Sequence, residues 1–210
     1  MRTGRSFSRP SARFEQLPTV LVLCEDLKSS KKYLEDLAKH FRANIKVKFV
    51  HCGKTDPLGI VNEAKTQRKS YEQIYCVIDR DSHDNFDQAL DVARGAGIKT
   101  IVSYPCFEYW LILHFGYNRK PYRSAGVKSA GDQVMSDLKK IPMMENYLKG
   151  TNDNLFKSLG IQRYSDAKTI SARILAEAKD LGEHNPSTQI HELGLVIEKL
   201  SAPQPIEAVV

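Results

Sequence analysis

The sequence predicts an α/β fold: a mostly parallel β-sheet flanked by helices, followed by a helical C-terminal extension. Three observations carry this expectation. Four short β-branched runs occupy the first half, each separated from the next by a stretch of helical apolar spacing. The intervening stretches are long enough for right-handed parallel crossovers. Beyond Pro105 the alternation stops and helical spacing takes over.

The first run, TVLVLC (19–24), follows Pro18 and ends at Glu25-Asp26. Tyr33, Leu34, Leu37, Ala38 and Phe41 then recur at helical spacing, with Ser29 or Ser30 as the expected N-cap. IKVKFV (45–50) alternates apolar residues with Lys and reads as a strand with one wet face. A helix is expected from Pro57, at its first turn, to about Arg68. QIYCVID (73–79) is the third strand and again stops at a carboxylate. Phe86, Ala89, Leu90 and Ala93 mark a helix capped by Asn85 and stopped by Gly95 and Gly97. IKTIVSY (98–104) is the fourth strand.

FEYWLILHF (107–115) reads as a strand or a buried helix, with its adjacent apolar pairs favouring helix. A Gly/Pro/Arg/Lys-rich loop follows, and the remainder reads as helical. Ala167, Ile170, Ile174, Ala178 and Leu181 form one stripe, started by Ser165 or Asp166 and stopped by Gly182. Ile190, Leu193, Ile197 and Leu200 form a second. The expected organisation is a basic arm (1–17), an α/β core (18–115), a basic aromatic loop (116–130), a helical part packed on the core (131–200) and a tail (201–210).

Composition narrows the function classes. The chain has 210 residues, 41% of them apolar, enough to bury a real core, and no apolar run long enough to span a membrane. Thirty-one Lys and Arg against 25 Asp and Glu leave a formal charge of +6. The surplus sits in the arm and in residues 101–150, while the C-terminal quarter is mildly acidic. A basic arm and patch on a mixed surface point to a polyanionic partner, nucleic acid first; plain solubility is the alternative. Cys24, Cys52, Cys76 and Cys106 show no metal-knuckle or dithiol spacing, which places the chain in a reducing cytoplasm. There is no GxGxxG after a strand, no Walker loop, no GxSxG elbow and no HExxH.

Ligands of open parallel sheets bind beyond the carboxyl ends of the strands. That rule singles out Glu25 after the first strand, and Asp79-Arg80-Asp81 after the third. Aspartates at i and i+2 point to one side of a strand, so both reach one cation. Hard divalent ions take oxygen ligands, usually one or two carboxylates with water and substrate phosphate. Read alone, Asp79 and Asp81 fit a turn or cap as well as a metal. With Glu25 at the matching end of another strand, a Mg2+ (or Mn2+) site gains weight, because clustered carboxylates need a compensating cation. Ion pairing by Arg80 and Lys28 is the competing account, and Asp84 and Asp87 extend the acidic cluster as first-turn acids would.

CEDLKSS (24–30), IDRD (78–81), YPCFEYWLILHF (104–115) and NPSTQIHEL (185–193), in that order, resemble the RloB-like proteins, compact bacterial relatives of the Toprim fold. The resemblance runs over most of residues 5–200. It implies that Asp79 and Asp81 hold Mg2+ and that Glu25 aids metal binding or proton transfer. It implies Mg2+-dependent nuclease chemistry in bacterial antiphage or abortive-infection systems, with an AAA- or ABC-type ATPase partner encoded nearby. Two positions depart from the pattern: Asp26 stands where Gly is usual, and Ser29-Ser30 where Thr-Glu is common. Asp26 reads as an extra ligand or as the mark of a decayed site.

Glu108 lies inside an apolar run, where a carboxylate must be paired or near solvent, and matches a Glu common in the related proteins, which makes it a candidate catalytic residue assisting Glu25, Asp79 and Asp81. His114 reads as a packing histidine, His83 as a loop residue or a phosphate contact, and His191 as a helix residue or the histidine that follows NPST in those relatives. In FGYNRKPYRSAGVK (115–128), Tyr117 and Tyr122 alternate with Arg119, Lys120, Arg123 and Lys128. Aromatic rings stack on unpaired bases while cations hold phosphates. Those six, with Lys28 and Arg80, are the expected nucleic-acid contacts, DNA or RNA and tRNA among them. Arg2, Arg5, Arg9 and Arg13 would lie along a phosphate backbone or form a free arm. A catalytically inactive nucleic-acid-binding or regulatory subunit is the alternative function.

Overall fold

The computed structural model describes residues 19–80, 83–150 and 154–201. The basic arm, Asp81 and most of the tail lie outside the described residues. The elements in chain order are β1 (Val20–Cys24), α1 (Ser30–His40), β2 (Val47–Val50), α2 (Pro57–Thr66), β3 (Gln73–Asp79), α3 (Phe86–Gly95) and β4 (Lys99–Tyr104). They continue with α4 (Glu108–Leu113), α5 (Ala130–Leu138), a short 3-10 turn (Pro142–Met144), α6 (Leu155–Leu181), β5 (Ser187–Thr188) and α7 (Ile190–Ser201). The sheet order is β2-β1-β3-β4-β5. The first four strands are mutually parallel, and β5 runs antiparallel beside β4.

Alternation along the strands divides the core into two layers. Val20, Val22, Cys24, Tyr75, Val77 and Ile101 face the side covered by α1, α4, α6 and α7. Leu21, Leu23, Ile74, Cys76, Ile78 and Val102 face α2 and α3. All five residues of β1 are buried, as expected of a strand covered on both faces. The stretch 107–115 is helical: α4 places six consecutive buried residues beneath the C-terminal helices.

Several local expectations change. Ser29 makes no side-chain cap; instead Asp26 braces the turn before α1, accepting the amides of Lys28 and Ser29 at 2.8 Å each. Asn85 likewise makes no side-chain cap, its Nδ2 donating to Asp56 Oδ1 at 3.0 Å instead. Asp56 is the working cap of α2, accepting the Gly59 amide. α6 begins ten residues before the expected start, because Leu155, Phe156 and Leu159 bury a short leading segment, and it kinks at Gly160 (φ 80, ψ 161). The C-terminal part is not wholly helical, since β5 pairs Ser103 with Thr188 and Tyr104 with Ser187. Gln189 extends that edge: its amide donates to Val102 O, and its side-chain oxygen accepts the Val102 amide, both at 2.9 Å.

Among the described residues, no helix is long and apolar enough to cross a membrane.

A carboxylate cluster at the carboxyl edge of the sheet

The register of β1 against β3 decides where the acids meet. Cys24 pairs with Val77, and the Glu25 amide continues the ladder by donating to Val77 O at 3.1 Å. The Glu25 side chain then turns toward β3, where its Oε2 accepts the Asp79 amide at 3.0 Å. Its other oxygen stands 3.9 Å from His83 Nε2. Two residues 54 positions apart in sequence thus sit side by side because parallel strands end together.

Glu108 approaches from the next crossover. It opens α4 and is fully buried. Tyr147 donates its hydroxyl to Oε1 at 3.3 Å. Lys149 Nζ stands 3.1 Å from Oε2, at ion-pair distance but without hydrogen-bond alignment, so Oε2 is a buried acceptor with no hydrogen bond of its own. Burial pushes the Asp79 carboxyl well above the usual range, and the Glu108 and Glu25 charges push it further. Lys149 and the backbone N–H of Phe107 offset part of that rise. Burial, reinforced by Glu108 and Asp79, likewise pushes the Cys106 thiol up. Burial alone would pull the Lys149 ammonium down; the Glu108 charge opposes it, and the net direction is up.

Glu25, Asp79, Cys106 and Lys149 open onto a cleft of about 1030 Å³ that Asp26, Arg80, Arg123, Asp132 and Lys139 also line, while Glu108 lies buried behind it. As it stands, no group of three His, Cys, Asp or Glu side chains among the described residues is arranged to hold a metal ion. Asp81 lies outside the described residues. The carboxylates of Glu25, Asp79 and Glu108 repel one another and are the oxygen donors a hard divalent cation takes, with the Cys106 thiol and the His83 ring beside them.

Asp26 is neither strained nor spare. It has no positive φ, and both carboxylate oxygens are committed to amides of the turn that leads into α1. Asp thus does at this position a different job from Gly, bracing the loop by hydrogen bonds rather than by backbone freedom.

The aromatic loop divides into braces and exposed charges. Tyr122 is a core residue, buried edge-on against Tyr109 at 6.2 Å between centroids. That burial corrects the expectation of a base-stacking platform at 122, because neither ring face is open. Tyr117 is exposed, but its hydroxyl donates to Glu177 at 2.6 Å and Arg173 lies 4.9 Å above its ring. Arg119 clamps the 183–186 segment, donating to Pro186 O at 2.6 Å and Glu183 O at 2.9 Å. Lys120 pairs with Asp137 at 2.6 Å. Arg123 reaches Glu183 at 3.6 Å, with most of its side chain exposed on the cleft wall. Lys128 is exposed beside a small bridge to Ala125. Arg80 lies 4.5 Å over the Phe86 ring at the cleft edge, and Lys28 is exposed near Gly150.

His114 and His191 are both packing residues. His114 Nδ1 donates to Trp110 O at 3.0 Å, leaving Nε2 to accept the Tyr33 hydroxyl at 2.9 Å. His191 Nδ1 shares a 2.8 Å hydrogen bond with Ser171 Oγ. Burial pushes the pKa of each down to about 4.

Sequence reasoning missed Lys149, Tyr147 and Cys106. Lys149 sits in an unremarkable NYLKG segment. Only the return of the loop after the 3-10 turn brings it to Glu108, and no local spacing announces that.

No curated protein and no solved structure matches the chain. The family model described as RloB-like protein matches residues 20–200, from the first residue of β1 to within one residue of the end of α7. The chain therefore belongs to the RloB-like family.

Proposed function

We propose that this chain is a Mg2+- (or Mn2+-) dependent nuclease, hydrolysing phosphodiester bonds of DNA or RNA from a Toprim-like site. The observation that carries the reading is the meeting of Glu25 and Asp79, with Glu108 buried beside Asp79, at a cleft also lined by Arg80, Arg123, Lys139 and Lys149. Acids and cations lining one cleft are the charges that a divalent ion and a phosphodiester need together.

Asp79 and Asp81 would hold the ion, which when bound supplies positive charge against the phosphate oxygens. Glu25 is the proton acceptor. Its Oε2 is pinned by the Asp79 amide, and that hydrogen bond fixes the carboxylate's orientation. A water attacks phosphorus, its proton passes to Glu25, and the bond to the leaving oxygen breaks as that oxygen takes a proton from solvent. Glu108, anchored by Tyr147 and buried behind the cleft, raises the proton affinity of Asp79. Family membership supports an antiphage or abortive-infection setting with an ATPase partner, and the four unpaired cysteines support a cytoplasmic one.

One observation favours the rival, a catalytically inactive nucleic-acid-binding or regulatory subunit: Lys149 already supplies a cation to the carboxylate cluster. A single-turnover cleavage assay separates the two readings, using labelled single-stranded RNA, tRNA and duplex DNA, the chain alone and the chain with its ATPase partner. Metal-dependent cleavage that falls by about 100-fold or more in Asp79→Asn/Asp81→Asn supports the nuclease. Cleavage untouched by those substitutions, or nucleic-acid binding indifferent to EDTA with no turnover, overturns it.

A further inference from the structure

We propose that Lys149 is the residue that contacts the phosphate group of the nucleic-acid strand entering the cleft. The inference rests on the nuclease reading and deepens it.

The loop carrying Lys149 is mounted at three points. Tyr147 is buried and hydrogen-bonded to Glu108. Lys149 itself reaches Glu108 Oε2 at 3.1 Å. Gly150 has φ +84, and a Cβ there would collide with the Lys28 side chain, so glycine alone fits the turn. A surface lysine loop held only by solvent would show none of these.

The ammonium has two environments. Glu108 lies on its inner side with a side chain only 1% exposed, while the Lys149 side chain is 52% exposed and lines the cleft. An ammonium carries three N–H donors on a flexible stem. Glu108 engages one side of the ammonium, which leaves N–H donors on its exposed side for a phosphate oxygen arriving from the cleft. Arg119 and Lys120, by contrast, are already committed to carbonyls and to Asp137.

The test measures binding of a fluorescein-labelled 12-nucleotide oligothymidylate by anisotropy, with Ca2+ replacing Mg2+, across a series of salt concentrations. Mn2+ binding is measured in parallel by calorimetry. Loss of one phosphate contact lowers the slope of log K against log[salt] by about 0.7 for a single strand. Lys149→Met is expected to show that drop while keeping its Mn2+ site, and Lys149→Arg to restore the slope. Because Lys149→Met strands a buried carboxylate, Lys149→Met/Glu108→Gln is measured as well, and the same drop is expected. An unchanged slope in either Met variant overturns the Lys149 assignment and leaves the nuclease reading standing. A wild type that binds neither Mn2+ nor oligonucleotide overturns both.

Discussion

Asp79 sets stability against function. Its carboxyl is raised in the folded chain by burial and by Glu108 and Glu25. A carboxyl raised on folding stabilises fully only below its unfolded pKa, and that contribution is lost as pH rises through the folded value. At neutral pH without a divalent ion, Asp79 is therefore a liability. Asp79→Asn should melt at a higher temperature than wild type in EDTA at pH 7, as differential scanning calorimetry would show. A lower melting temperature would mean that Asp79 is compensated within the protein.

His114 has the opposite sign of pH dependence. Its folded pKa is depressed to about 4, so the unfolded chain binds the proton first. Its contribution is complete above about pH 6.5 and is lost as pH falls from there toward 4, at most roughly 3–4 kcal/mol. His114→Phe should be less stable than wild type at pH 7, since it leaves the Tyr33 hydroxyl and Trp110 O unpaired, yet show a flatter decline across that window in denaturant titrations. An equal decline in both proteins would place the acid sensitivity elsewhere.

Among the elements, the strands were the easiest to read from sequence. β3 spans the residues that its apolar run marked, because a fully covered parallel strand is a continuous hydrophobic run. β5 was invisible: two residues, Ser187 and Thr188, carry no pattern and are a strand only because β4 has a free edge. Gln189 finishes that edge by bonding Val102 with both main chain and side chain. Gln189→Ala should cost about 1 kcal/mol in equilibrium unfolding, and no loss would mean that water replaces the side chain.

The early start of α6 escaped notice for a related reason. Gly160 breaks the helical phase, so Leu155, Phe156 and Leu159 do not continue the stripe that begins at Ala167. Its φ and ψ lie in a region open essentially to glycine alone. Gly160→Ala should cost about 1–3 kcal/mol without altering Mn2+ binding. A neutral effect would mean that the helix straightens without penalty.

At the scale of the whole molecule, the candidate site was legible where topology alone places residues. Parallel strands that end together bring Glu25 to Asp79, and strand-end carboxylates are conspicuous in sequence. What loops deliver was illegible. Lys149 arrives 41 residues after Glu108, and Tyr122 turns inward although its neighbours Arg123 and Lys120 face solvent. Aromatic and basic residues interleaved in a loop do not reveal which ones the fold consumes as braces. The surface that remains is a cleft lined by acids and cations together, and the proposed function turns on whether it binds a divalent ion.

Isothermal titration of Mn2+ and Mg2+ into the wild type and into Glu25→Gln/Asp79→Asn addresses that property most directly. A carboxylate cluster that serves as a metal site gives saturable binding in the wild type and none in the double variant. Binding that survives both substitutions, or a wild type that takes up neither ion, would contradict it.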